Sequence, residues 1–103
     1  MSARANALRA LLEQDPKNSF ARYGLALDHV NNGDLESAVV EYRTVVANDA
    51  NYCAAYYHGG QALEKLGKLA DAAEMYRQGI EATRRTGDAH TRSELEGALS
   101  LIS

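Results

Sequence analysis

The chain has 103 residues, 46% of them apolar and 24% charged, a length and balance that fit one folded domain and argue against disorder. Fourteen acidic against eleven basic side chains leave a formal charge of −3, which gives no electrostatic footprint for nucleic acid or an acidic membrane surface. One cysteine, Cys53, excludes an internal disulfide and a multi-cysteine metal site, and no apolar run is long enough to span a bilayer.

The start, Met1 to Asn6, lacks the apolar core of a signal peptide, so a reducing cytoplasm is the expected compartment. A helix is expected over 3–14, terminated by Pro16. Phe20, Tyr23, Leu27 and Val30 mark a second over 18–31, and Gly33 can take the left-handed conformation that ends it. Asp34 then caps a third over 35–48, where Leu35, Ala38, Val39, Tyr42, Val45 and Val46 keep helical spacing. Asn51 is the expected cap of a fourth over 52–66, which carries Tyr56, Gly60, Leu63 and Leu66 and stops at Gly67. The fifth, over 69–84, carries Leu69, Ala72, Ala73, Tyr76 and Ile80. Arg84 and Arg85 at its end complement the carbonyl dipole. Gly87 and Asp88 close it and open a sixth over 88–101. Strand alternation is absent and the connections are short, so successive helices should be antiparallel neighbours.

These elements repeat. Residues 19–52 laid over 53–86 give seven identities at an offset of 34: Ala21/Ala55, Tyr23/Tyr57, Gly33/Gly67, Leu35/Leu69, Ala38/Ala72, Tyr42/Tyr76 and Arg43/Arg77. A repeated unit cannot bury its apolar face alone and must stack on a neighbour.

On these residues the chain resembles the tetratricopeptide-repeat family, which builds each 34-residue unit from two antiparallel helices. In that register Ala26 and Gly60 take the small position of the first helix, and Ala38 and Ala72 that of the second. Tyr42 and Tyr76 take the large aromatic position, Gly33 and Gly67 the turn, and Asp15-Pro16 the terminal pair. The resemblance implies an all-α, right-handed superhelix of about six helices in one domain. Residues 1–16 read as a half repeat, 19–52 and 53–86 as two repeats, and 88–103 as a capping helix. Some positions depart: the family's first-helix Trp is Arg22 and Tyr56, its closing Pro is Ala50 and Arg84, and position 79 is Gly, expected to weaken its helix by up to roughly 1 kcal/mol.

The resemblance also implies a groove lined by the first helix of each pair, and a protein or peptide partner. The groove residues it points to are Tyr23, Leu27 and Asn31, with Phe20 and Val30 beside them, then Tyr57, Gln61 and Lys65 with Ala54 and Glu64. Thr91, Arg92 and Leu95 could extend the face onto the sixth helix. Tyr23 and Tyr57 combine a ring and a hydroxyl, which suits an extended peptide or a partner helix, but the same residues could serve inter-repeat packing. One subtype of the family grips a C-terminal carboxylate with a fixed Lys, Asn and Arg set. Those positions are Tyr23, Leu27, His58, Asp88 and Arg92 here, and only Arg92 matches, so that clamp is not expected.

No catalytic constellation is present. His29, His58 and His90 take three different repeat positions, His90 with Glu94 offers two metal ligands where three are needed, and Cys53 is expected to fill a small packing site. Phosphate loops, dinucleotide fingerprints and nucleophile elbows are absent. The reading is a non-enzymatic adaptor without cofactor or metal, binding protein rather than nucleic acid or membrane, and a monomer in preference to a homodimer. The alternative is a small assembly subunit that associates with itself through Leu99 and Ile102 or through the first helix.

Overall fold

A computed structural model describes residues 2–103 and shows six helices in chain order. They are α1 (Ala3–Gln14), α2 (Ser19–Asn31), α3 (Leu35–Asn48), α4 (Cys53–Lys65), α5 (Leu69–Thr86) and α6 (Ala89–Ile102), with no strand among the described residues. Each helix packs on the next along the chain, and α4 also meets α6.

The ends are set by local chemistry. Ser2, Asn18, Asp34 and Asp88 accept hydrogen bonds from the backbone N–H three residues on, at 3.0, 3.0, 3.2 and 3.1 Å. The expected cap Asn51 does not act as one. Tyr52 occupies the cap position without a side-chain bond, and Asn51 Oδ1 instead accepts from Arg85 Nε at 3.0 Å. Arg85 Nη2 also donates to the Ala50 carbonyl, so this arginine ties the α3–α4 turn to the end of α5. Gly33, Gly67 and Gly87 sit at φ of 77°, 76° and 77°. Residues 34, 68 and 88 donate back across these turns to His29, Leu63 and Thr83, closing each helix with a left-handed cap.

The small positions carry the seam between helices. Ala26, Ala38 and Ala72 are wholly buried. At Gly60 a Cβ would stand 2.2 Å from Cε1 of Tyr76, so only glycine lets that buried ring cross α4. Gly79 has the same purpose. A Cβ there would lie 2.6 Å from the Tyr56 Cβ and 3.0 Å from a Leu95 methyl, so the glycine expected to weaken α5 is what lets α4 and α6 close on it.

The core is one row of clusters: Ala5, Leu8, Ala21 and Leu25 beneath α1; Ala26, Ala38, Tyr42, Val45 and Ala55 in the middle; and a larger group around Tyr56, Leu63, Met75, Tyr76 and Leu95. Two departures from the repeat pattern do equivalent work. Arg22 Nη2 donates to the Pro16 carbonyl at 2.9 Å, and Tyr56, 34 residues later, donates to the Ala50 carbonyl at 2.8 Å. Arg22 Nη1 also pairs with Glu41 of α3 at 2.9 Å.

The sixth helix is out of step. From the start of α3 to the start of α4 is 18 residues (35 to 53), whereas α5 to α6 is 20 (69 to 89), because α5 continues to Thr86. Ala98, Leu99 and Ile102 consequently pack against the core at the places of Ala62, Leu63 and Leu66, an offset of 36 rather than 34. Leu99 and Ile102 are thus engaged within the chain, while Leu101 stays 86% exposed.

Candidate functional site

The open stripes of α2 and α4 hold the residues singled out in the sequence. On α2, residues 20, 23, 27, 30 and 31 share one helical face. Tyr23, Leu27 and Val30 are half-buried, Asn31 is exposed and Phe20 is 68% exposed. On α4 the same face holds Ala54, Tyr57, Gln61 and Glu64, all half-buried, and the exposed Lys65. Gln61, Glu64 and Lys65 line an open recess of about 250 Å³.

Aromatic contacts join the two stripes. The Tyr23 ring lies 5.9 Å from Tyr42, 5.2 Å from Tyr52 and 5.9 Å from His58, and His58 lies 5.3 Å from Tyr57. Tyr57 in turn stands 6.5 Å from Tyr76. Tyr23 therefore packs between repeats while keeping part of its ring open. His58 and Tyr52 were not among the expected site residues. His58 follows Tyr57 directly and reaches Tyr23 and Tyr42 behind it; Tyr52 precedes α4, outside the helical spacing that flagged the others.

The polar chemistry differs between the stripes. Gln61 Nε2 donates to the Tyr57 hydroxyl oxygen at 2.9 Å, leaving the Gln61 carbonyl and the Tyr57 proton for an incoming group. Buried Tyr76 donates its hydroxyl to Glu64. Burial first, then the bond to the Glu64 carboxylate, pushes the Tyr76 hydroxyl well above the usual tyrosine range, so it is a fixed donor. In the first pair Val30 stands where Glu64 stands in the second. Tyr42, equivalent to Tyr76 and wholly buried, has a hydroxyl without a hydrogen-bond partner among the described residues, and burial likewise pushes its pKa far up. Burial also lowers the His58 pKa, with nearby Glu94 opposing the shift.

The remaining candidates sit apart. The two-residue advance of α6 moves Arg92, half-buried, to the place of Tyr56, and brings Ser93 rather than Thr91 level with Tyr57. Leu95 is wholly buried against Gly79 and does not reach the open face. Cys53 is buried with its Sγ 3.4 Å from Thr86 Oγ1, and His90 meets Glu94 at 3.6 Å on the exposed side of α6. Among the described residues no group of three His, Cys, Asp or Glu side chains could hold a metal ion, and no helix is long and apolar enough to cross a membrane.

Comparison with known proteins fits this geometry. The tetratricopeptide repeat family profile matches residues 3–52 and again 23–89. A TPR repeat-containing protein of Pseudomonas aeruginosa is 28% identical over 88 residues, covering 85% of this chain and 84% of its own length. The crystal structure of a tetratricopeptide repeat domain protein from Salinibacter ruber is 34% identical, with a TM-score of 0.77, and the match covers 82% of this chain and 94% of that one. At the level of fold alone, a TPR2B domain of yeast Sti1 in complex with pHsp70 superposes with a TM-score of 0.87 at 14% identity, over 93% of this chain and 77% of that one.

Proposed function

The chain belongs to the tetratricopeptide-repeat family, and from that premise we propose that it is a non-enzymatic protein-interaction module whose ligand lies across the open face of α2 and α4. The single observation that carries the reading is the pair of stripes, Phe20, Tyr23 and Leu27 on α2 and Tyr57 and Gln61 on α4, joined where Tyr23 and Tyr57 both meet His58. It holds a 68% exposed phenylalanine, half-open tyrosine rings and directional polar groups on a rigid helical scaffold. Rigid aromatic rings supply contact area at low entropic cost, and the free Tyr57 proton supplies direction. The yeast relative in fold is seen with a partner, which supports the same use of the scaffold.

In this reading Tyr23, Leu27, Asn31, Tyr57, Gln61 and Lys65 contact the ligand. Arg92 lies outside the contact, since the advance of α6 takes it out of line. The array comprises a half unit, two units and a closing helix, and acts as a monomer.

The test is partner capture from native extract with the wild type and with Leu27→Glu, followed by mapping the captured segment on backbone amide resonances. Leu27 is half-buried and belongs to none of the core clusters, so the variant should fold with an unchanged circular dichroism spectrum and lose the partner. Retention of the partner by Leu27→Glu, or shifts confined to the outer faces of α3 and α5, would remove the proposal. Sedimentation at two concentrations checks the monomer.

A further inference from the structure

The two halves of the stripe do not offer the same chemistry. The α2 half presents Phe20, Tyr23, Leu27 and Val30, with Asn31 at its edge. The equivalent α4 half presents Ala54, Tyr57, Gln61, Glu64 and Lys65. Within it, the half-buried Glu64 carboxylate makes no ion pair with any described residue; its partner is the Tyr76 hydroxyl. That hydroxyl is held in place by a ring that only glycine at position 60 admits. The carboxylate is therefore preorganised, it borders an open recess of about 250 Å³, and the Gln61 carbonyl oxygen and the Tyr57 ring stand on the same face.

Resting on the groove reading above, we propose that this recess seats a cationic side chain, lysine or arginine, of an extended partner segment, while the α2 half seats an apolar side chain of the same segment. A cation there meets a fixed carboxylate, a carbonyl acceptor and an aromatic face. An acidic segment would set its own carboxylate against Glu64. Lys65 opposes a cation only weakly, because it is exposed and its ammonium can move into water, where salt screens it, whereas Glu64 is half-buried and tethered. His58 stands 5.9 Å from Tyr23 and 5.3 Å from Tyr57, so those two rings are no more than about 11 Å apart, and an extended chain rises about 3.3 Å per residue. Anchors seated beside the two rings are thus about three residues apart in the partner, as in Leu-x-x-Arg or its reverse.

The experiment titrates blocked synthetic peptides of Gly and Ser carrying Leu and Arg three positions apart, in both orders, into isotope-labelled protein. Sibling peptides replace Arg by citrulline or Glu, or Leu by Ser. The Arg peptide should bind about fivefold more tightly than its citrulline sibling, and added salt should shrink that gap. Glu64→Gln, which keeps an acceptor for Tyr76, should abolish the gap while leaving leucine-dependent shifts at Tyr23 and Leu27. Lys65→Gln should widen it. Equal affinity for the Arg, citrulline and Glu peptides, with shifts at Tyr23 and Leu27, would overturn the cation seat and leave the groove reading standing. Shifts elsewhere, or none at millimolar peptide, would overturn both. Occupation of this face by a second copy, seen as concentration-dependent association that peptides displace, would overturn a foreign segment as the occupant.

Discussion

The α2–α3 pair and the α4–α5 pair share several of the side chains that lock the helices together, and on the open stripe they agree only at Tyr23 and Tyr57. Ala21 with Ala55, Ala38 with Ala72 and Tyr42 with Tyr76 are identical and buried in both. Phe20 with Ala54, Leu27 with Gln61, Val30 with Glu64 and Asn31 with Lys65 differ, and all lie on the open stripe. The contrast separates two demands on the same helices. Close packing tolerates only certain volumes, so Ala38 with Ala72 and Tyr42 with Tyr76 repeat, while four of the five stripe positions carry different chemistry in the two pairs. Tyr42 shows where the two demands interfere: it keeps its packing role but has lost the acceptor its counterpart enjoys, because position 30 carries an isopropyl group in place of a carboxylate.

The largest break in the comparison should come from the small positions. Gly60→Ala forces a methyl to within 2.2 Å of a buried ring and should cost about 2 kcal/mol by urea denaturation. Ala26→Gly, the reverse change at the equivalent site, should cost about 1 kcal/mol, mostly as lost helix propensity.

Next come the buried tyrosines, where the sign should differ. Tyr76→Phe removes a donor from Glu64 and should destabilise by about 1 kcal/mol. Tyr42→Phe removes a hydroxyl that has no partner among the described residues and should be neutral or stabilising by about 1 kcal/mol. Thermal melts of the two variants side by side check both. In a Val30→Glu background Tyr42 gains the acceptor found in the second pair, so Tyr42→Phe should there become destabilising.

The smallest effect should be that of pH on His58, whose counterpart in the first pair is Gly24. Burial lowers the folded-state pKa of His58 below its ordinary 6.5, so the unfolded chain binds the proton more readily. Stability should be full above that value and decline as pH falls through it towards the folded pKa. Repeating the denaturation at pH about 7 and about 5.5 should show a drop that His58→Gln abolishes. An identical drop in that variant would assign the effect to other groups.

Helix type and order were legible from the 34-residue period, the apolar spacing and the three turn glycines, because these report local geometry directly. All six helices begin within one residue of expectation, and the caps expected at Asp34 and Asp88 are in place. What escaped depends on partners distant in the chain. Asn51 looked like a cap, yet Arg85 claims it. Gly79 looked like a weak point in a helix, since its neighbours Tyr56 and Leu95 become visible only on packing. The open stripe was legible from the repeat register, while the bridge through His58 required knowing which way two adjacent aromatic residues point. The contrast of Val30 with Glu64 lay in the offset alignment, but its meaning depended on the Tyr76 hydroxyl reaching that carboxylate.

The longer α5 has a consequence for anyone lengthening this protein. A solenoid grows by a constant screw, and each added copy must enter at the same angle as the last. Up to α5 the step is constant at 34 residues (19 to 53 and 35 to 69), so a duplicate of residues 19–52 spliced between α3 and α4 should extend the array smoothly. Spliced behind α5, the same duplicate would enter two residues ahead of the register that α6 keeps, about 200° around a helix, and would not set an apolar side chain where Leu95 meets Gly79.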